Sequence, residues 1–473
     1  MNDPKVALIT FGDARQHEWN NLFRSLTEPR HKDIIEYFRD LPVELYFLEE
    51  VARTQDEIDS QVDRLRANGV TAFIAHIPCW TSPNLVVRGV QRMNLPTVLV
   101  SNRDPGTHGM VGLLGAGGAL DQIGYAHLRV RESFESPTLG EKVLPFIRAA
   151  SAVAQLRGQV FGLFGGRSLG IDTGTIDPMQ WRRQFGIDVE HIDQLEIIRR
   201  AELVGQEKTT KMVAWLERTM GSVDYDGKKL TPEKLGFQSR CYIATRQIIS
   251  EKKLDFIAIQ CMPDLTNLYV PQCISAALLP GPYDSDGKQK PVPMACEADG
   301  DGALTMQILN LISSGQPTLF GDLSYLDEDN LTMYIPNCGA MCSWYAGRSS
   351  KPEENLSQIQ LRPSFRPGGG ATVYFKAAAG SVTLARLSRR AGEYIMTIFT
   401  GEAIEPSPEA YAEFVTARGS HQLPTMFVRA NLDFDELINE FGSNHISGVA
   451  GFYVDELVHF CKLLDIQPIV LLN

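Results

Sequence analysis

Two carboxylates stand directly after short apolar runs. Pro291-Val292-Pro293-Met294-Ala295-Cys296 leads into Glu297, and Pro317-Thr318-Leu319-Phe320-Gly321 leads into Asp322. In an open parallel sheet, chemistry gathers at the carboxyl ends of strands, so if these two strands are neighbours both acids project into one crevice. Two converging carboxylates can hold a divalent cation and can also move protons. A third ligand has to come from elsewhere in the chain. The candidate is His445, read as part of a loop, Gly442-Ser443-Asn444-His445-Ile446-Ser447-Gly448, ahead of a closing helix. Taken singly, each has a plainer reading: Glu297 and Asp322 as helix caps, His445 as one of nine histidines.

Other motifs point away from nucleotides and structural zinc. Gly112 to Gly118 lacks the last glycine of a dinucleotide fingerprint, because Leu120 stands at that position. Gly162-Leu163-Phe164-Gly165-Gly166-Arg167-Ser168-Leu169-Gly170 has no lysine where a P-loop needs one. Both read as tight strand-to-helix turns that can line a polyol site. Cys338 and Cys342 form a C-x3-C pair with no second pair at zinc spacing, so the eight cysteines read as buried thiols and not as a disulfide framework.

The elements that must position these groups alternate. Val6 to Thr10, Phe73 to Ala75 and Thr97 to Val100 are strand-like, and Ile58, Val62 and Leu65 recur at helical spacing. After the Ala-rich stretch Ala149 to Ala154, Gln159 to Phe164, Phe256 to Ile259, Pro291 to Cys296 and Pro317 to Phe320 read as strands, with Ala303 to Ile312 as a helix. Beyond Pro352 come β-rich runs, Ala371 to Lys376, Ser381 to Leu387 and Tyr394 to Thr400, then a helix over Gly448 to Leu464 and a strand over Ile466 to Leu472. At roughly 150 residues per domain, 473 residues predict about three domains. They are expected as 1–155 and 156–350, two Rossmann-like α/β domains with parallel sheets, the second carrying the carboxylates, followed by a β-rich, small antiparallel barrel-like domain over 351–473.

Lys plus Arg is 45 against 57 Asp plus Glu, a net charge of −12 that disfavours nucleic acid and anionic membrane as partners. The start, MNDPKVALITFGD, reads as neither a signal peptide nor a membrane span, and a cytoplasmic location is expected.

Cys296-Glu297-Ala298-Asp299-Gly300-Asp301-Gly302-Ala303-Leu304-Thr305, followed by Phe320-Gly321-Asp322, resembles the paired metal-carboxylate segments of the L-fucose isomerase and L-arabinose isomerase superfamily. Gly165 to Gly170 resembles the family's Gly-x-Ser-Met-Gly turn, and Gly380 to Leu387 resembles a strand of its C-terminal domain. Ile77-Pro78-Cys79-Trp80 resembles the segment whose tryptophan reaches a neighbouring subunit's site. The resemblance implies an aldose–ketose isomerase working through an ene-diolate, with Glu297, Asp322 and His445 as ligands to Mn2+ or another divalent cation such as Mg2+ or Co2+. It implies that Glu297 and Asp322 move the protons and that Arg15, Trp80, Gln260 and Asn444 contact the sugar. It also implies a homo-oligomer, a hexamer or trimer-based assembly, in which Trp80 serves the next subunit. Asn337-Cys338-Gly339 departs from the family, where many relatives carry a histidine beside Cys-Gly, and this leaves the sugar open. Rival readings are a non-catalytic sugar-binding or sensor protein and a metal-dependent aldolase or epimerase on the same scaffold.

Overall fold

A computed structural model of the chain describes residues 3–103, 106–338, 341–418 and 423–471. Gly339 of the departing segment and Leu472, at the end of the expected last strand, lie outside the described residues. The chain forms two compact units. One takes in the chain up to Gln155 together with Asp455–Asp465, and the other Leu156–Val454 together with the stretch from Ile466.

The first unit is built on five parallel strands in the order Glu44–Tyr46, Lys5–Thr10, Ala72–His76, Thr97–Ser101, His127–Arg131. Alternate residues feed two separate cores, as a strand's two-residue period requires. Ala7, Ile9, Phe73 and Ala75 pack with Ile58, Val62 and Leu65 of the helix Gln55–Arg66. Val6, Leu8, Ala72 and Ile74 pack on the other face with Ile34, Phe38 and Phe146. Thr54 starts the helix Gln55–Arg66 with a capping box to Glu57. The strand order places a topological switch point between Lys5–Thr10 and Ala72–His76.

The glycine-rich stretch Gly112 to Gly118 is not the turn expected from its composition. It lies inside the helix Gly109–Gln122. There the missing side chains let the helix lie close to the neighbouring loop: a Cβ at Gly109 would sit 2.9 Å from the Pro78 carbonyl oxygen, and one at Gly112 would sit 3.0 Å from that of Cys79.

The second unit holds a parallel sheet in the order Met294–Ala295, Phe256–Ile259, Val160–Phe164, Asp188–Ile192. It also holds a large sheet in the order Thr318–Asp322, His445–Ala450, Gly380–Arg390, Glu393–Ile404, Thr425–Arg429, Thr332–Pro336, Tyr325–Asp327, antiparallel throughout, with Gln467–Val470 added in parallel beside Glu393–Ile404. Gly321 lets the first strand of that path approach the sixth, since a Cβ there would sit 2.7 Å from Ile335, and the sheet curls on itself.

Between the two sheets runs the helix Gly300–Ile312, which packs against strands of both. Every residue in it is buried, the polar Asp301, Thr305, Gln307 and Asn310 included.

Three expectations change here. Thr318–Asp322 belongs to the antiparallel sheet and is not a neighbour of the parallel strand before Glu297. His445 opens a strand and does not sit in a loop. The closing helix starts only at Val454, because Gly448 is spent on strand pairing with Leu319 and Leu384.

Candidate active site

Glu297 follows the short parallel strand Met294–Ala295 and precedes the N-cap of the buried helix. It and Ala298 both take left-handed backbone angles, φ 57° and 53°. For non-glycine residues this costs about 1–2 kcal/mol each. The double turn is held by the Ala298 N–H donating to the Ile259 carbonyl at 3.0 Å and the Asp299 N–H donating to that of Cys296 at 3.2 Å. It swings the chain from the end of the strand into the helix and leaves the Glu297 side chain at the sheet's carboxyl edge.

Asp322 and His445 come together by another route. They are directly opposed cross-strand partners at one end of the antiparallel sheet. Opposed residues share a face, so their side chains are neighbours by pairing alone.

The three converge on one imidazole. His445 Nε2 lies 3.1 Å from Glu297 Oε2 and 3.5 Å from Asp322 Oδ1. Its other nitrogen, Nδ1, lies 2.7 Å from Asp299 Oδ2. The ring rests against Phe320, centroids 4.7 Å apart. His445 is 1% exposed and Asp322 36%, so the cluster runs from a buried floor to an open rim. Burial pushes the imidazole pKa down, but the bonds to Asp299 and Glu297 and the charge of Asp322 outweigh it and carry the pKa up to about 10. Burial likewise acts to raise the Asp299 pKa, and the Arg386 guanidinium and His445 reverse it, holding that carboxyl well below the ordinary range.

Of the other residues singled out by sequence, Gln260 directly follows Phe256–Ile259, and its Oε1 accepts from the Gly166 N–H at 2.7 Å. Asn444 is exposed next to His445, and its carbonyl accepts from the Leu323 N–H at 2.9 Å. Arg15 and Trp80 belong to the first unit, in the segments after the two strands that flank its switch point. Arg15 is ion-paired to the buried Asp13 at 2.6 Å, and Trp80 packs on the cluster of Trp19, Phe23 and Cys79. The cysteines are free thiols; Cys338 lies near Cys296, Sγ to Sγ 3.5 Å, and Cys342 is buried.

Sequence reasoning singled out neither Asp299 nor Arg386. The first was legible as an N-cap before a largely apolar helical run, and the second as an arginine set between the apolar Leu384, Ala385 and Leu387, which needs a buried partner.

The donor set of two carboxylates and one imidazole suits a divalent cation of intermediate hardness. Ligands about 2.1 Å from a common ion and at right angles stand roughly 3 Å apart, comparable to the 3.1 and 3.5 Å between Nε2 and the two carboxylates. Among the described residues, no group of three or more His, Cys, Asp or Glu side chains is arranged so that it could hold a metal ion as it stands. The fit therefore lies in the identity and convergence of the donors, whose mutual contacts an ion would replace.

Comparison with known proteins defines the class. The pattern of the L-fucose isomerase first N-terminal domain matches residues 3–158, and that of the L-fucose isomerase C-terminal domain matches residues 335–471. The chain is similar to a sulfoquinovose isomerase of Alkalicoccus urumqiensis, 24% identical over 75% of this chain and 77% of the relative. It is similar to a sulfoquinovose isomerase of Priestia aryabhattai, 19% identical over 89% and 90%. An L-fucose isomerase of Bacteroides thetaiotaomicron is 25% identical over 71% of this chain and 68% of its own length. These matches are to sugar isomerases, and the protein is an enzyme of that class. The chain belongs to the L-fucose isomerase family. His445, Asn444, Arg15 and Trp80 fall within the two matched spans, and Glu297 and Asp322 fall between them. No helix among the described residues is long and apolar enough to cross a membrane.

Proposed function

We propose that the protein interconverts an aldose and its 2-ketose at a divalent cation, Mn2+ first among Mn2+, Mg2+ and Co2+, held by Glu297, Asp322 and His445. The observation that supports this is the convergence of both carboxylates on His445 Nε2. Isomerisation moves a proton between C2 and C1 of the open-chain sugar, and the difficulty is the weak acidity of a C–H beside a carbonyl. A bound cation supplies polarisation of the sugar oxygens and stabilises the negative charge of an ene-diolate.

The protein's own groups do the rest. One of Glu297 and Asp322 takes the proton from C2 and returns it to C1, and the other serves the hydroxyl proton. Asp322, on the open rim, stands where sugar can arrive, and Glu297 is held by its turn nearer the floor. Gln260 and Asn444 flank the carboxylates on the same two sheets and would orient the hydroxyls. The substrate is a small aldose of the kind the relatives' names describe, with a 6-deoxy or 6-sulfo carbon; Trp80 of a neighbouring copy would meet its far end, and Arg15 would be a further sugar contact. On this reading the enzyme is a homo-oligomer with no nucleic-acid or membrane partner. It works in the cytoplasm, and its free thiols fit a reducing compartment.

The test is a panel of L-fucose, D-arabinose, L-arabinose and 6-sulfo and other anionic 6-substituted hexoses, assayed for ketose with metal-stripped protein and again after Mn2+ is restored. Ketose formed only with metal is the expected result. No metal-dependent product from any sugar overturns the reading. A cleaved triose would make the enzyme an aldolase. Mixing Trp80→Ala and Glu297→Gln proteins should regenerate activity that neither has alone if Trp80 crosses between subunits; no recovery after mixing sinks that part.

A further inference from the structure

Asp299 has no role in the scheme above, yet both of its carboxylate oxygens are fully engaged. An ionised carboxylate offers about four acceptor sites. Oδ1 takes the Gly302 N–H at 2.8 Å and Arg386 Nη2 at 3.1 Å; Oδ2 takes Arg386 Nη1 at 2.6 Å and His445 Nδ1 at 2.7 Å. These donors come from three separate elements: the buried helix, the strand Gly380–Arg390 and the strand His445–Ala450. The side chains of Asp299 and Arg386 are fully buried. With all four sites engaged, Asp299 has none left for a cation or a substrate proton.

Its one contact toward the site is the His445 ring. We infer that Asp299, clamped by Arg386, is a positioning residue: it fixes His445 with Nδ1–H donated into the core, so that Nε2 is presented to Glu297 and Asp322. A histidine that ligates through one nitrogen characteristically donates the other N–H to a carboxylate, which sets tautomer and ring orientation and raises ligand basicity. Space around the clamp is closed. A Cβ on Gly302 would lie 2.6 Å from Phe320, 2.8 Å from Arg386 Nη1 and 2.8 Å from Asp299 Oδ2, so only glycine admits both partners. Arg386 Nη2 also donates to the Thr173 carbonyl at 2.8 Å, which anchors the guanidinium independently of Asp299. The inference rests on the metal reading for its purpose but not for its geometry, and the two are tested apart.

The experiment uses full-length protein with 15N-labelled histidine, His445 being assigned from His445→Asn, and follows Nδ1 by NMR without metal and with diamagnetic Mg2+. Mn2+ binding is followed separately through the EPR signal of the free ion. In the wild type, His445 Nδ1 is expected to carry a strongly deshielded proton in both states. Asp299→Asn should lose that signal and bind Mn2+ about 10- to 100-fold more weakly. Glu297→Gln and Asp322→Asn should keep the Nδ1 signal while losing Mn2+ affinity, a split that a merely structural role for Asp299 does not produce. If Asp299→Asn does not fold, Asp299→Asn with Arg386→Gln removes both buried charges together and is expected to show the same two changes. A wild-type Nδ1 without a proton, or a folded variant with unchanged Mn2+ affinity, overturns the inference. Wild-type protein that binds no Mn2+ but shows the Nδ1 proton, lost in the variant, overturns the metal reading and leaves the positioning role standing.

Discussion

His76 in the first unit and His445 in the second are both buried at strand ends, and their ionisation is driven in opposite directions. His76 closes the strand Ala72–His76 with Nδ1 3.0 Å from the Thr10 hydroxyl, which also meets His31 Nδ1 at 2.8 Å. With hydroxyl and imidazole for company, burial holds its pKa well below the ordinary value, and His31 and Arg30 push the same way. His445 feels the same burial, but the carboxylates around it carry its pKa up to about 10. Burial alone thus makes a neutral hydrogen-bonding ring. Converging carboxylates favour the charged ring instead, so the two histidines differ in the company each keeps and not in how deeply each is buried.

The sharpest way to break the contrast is through the acids. Glu297→Gln or Asp322→Asn should lower ketose formation by about 100- to 10,000-fold, read as turnover at saturating sugar and Mn2+. A near-normal rate in either would return the second histidine to a structural role. Next in size is Arg386→Met, which leaves Asp299 buried without its cation and should destabilise the second unit by about 3–5 kcal/mol, measured by urea unfolding with hydrogen exchange to assign the loss to that unit.

Thr10→Val should cost about 1–3 kcal/mol in the first unit, because it leaves both His31 Nδ1 and His76 Nδ1 without their shared hydroxyl. The smallest effect is one of pH. The folded-state pKa of His76 is depressed, so the unfolded chain binds the extra proton first, and the stability that His76 contributes is present above pH 6.5 and lost as the pH falls toward the folded value. Exchange protection in the first unit should therefore decline between neutral and mildly acid pH, and less so in His76→Asn.

Local pattern carried the first unit well. The run Val6 to Thr10 and the spacing of Ile58, Val62 and Leu65 appear as the strand Lys5–Thr10 and the helix Gln55–Arg66, because a short continuous apolar run suits a strand covered on both faces and a helical period reports which side of a helix is covered. Partnership was harder. The run before Asp322 is equally apolar in a parallel or an antiparallel sheet, and nothing within five residues names the strand that will lie beside it. His445 to Ala450 was hidden as a strand by Ser447 and Gly448, which look like loop. The glycine is there because a Cβ would sit 2.8 Å from Leu384, where the strands are tightly covered.

For the candidate site, residue type singled out Glu297, Asp322 and His445 and the family resemblance joined them as a set; their side chains do lie in contact, by a cross-strand pairing the sequence did not announce. Asp299 and Arg386 escaped because their meaning lies in a contact across 87 residues of chain, and composition does not say which of 57 acids faces which arginine.

The cross-strand pairing of Asp322 with His445 also sets how the site tolerates change in chain length. A substitution at either position removes one group and leaves its partner in place. Deleting one residue inside Thr318–Asp322 would instead turn Asp322 to the opposite face of the sheet, with every composition-level feature of the motif intact. Length variation in this enzyme should therefore be confined to the loops beyond the strand ends. A homologous chain that retains all three residues but carries an odd-numbered insertion within either strand should no longer bring their side chains together.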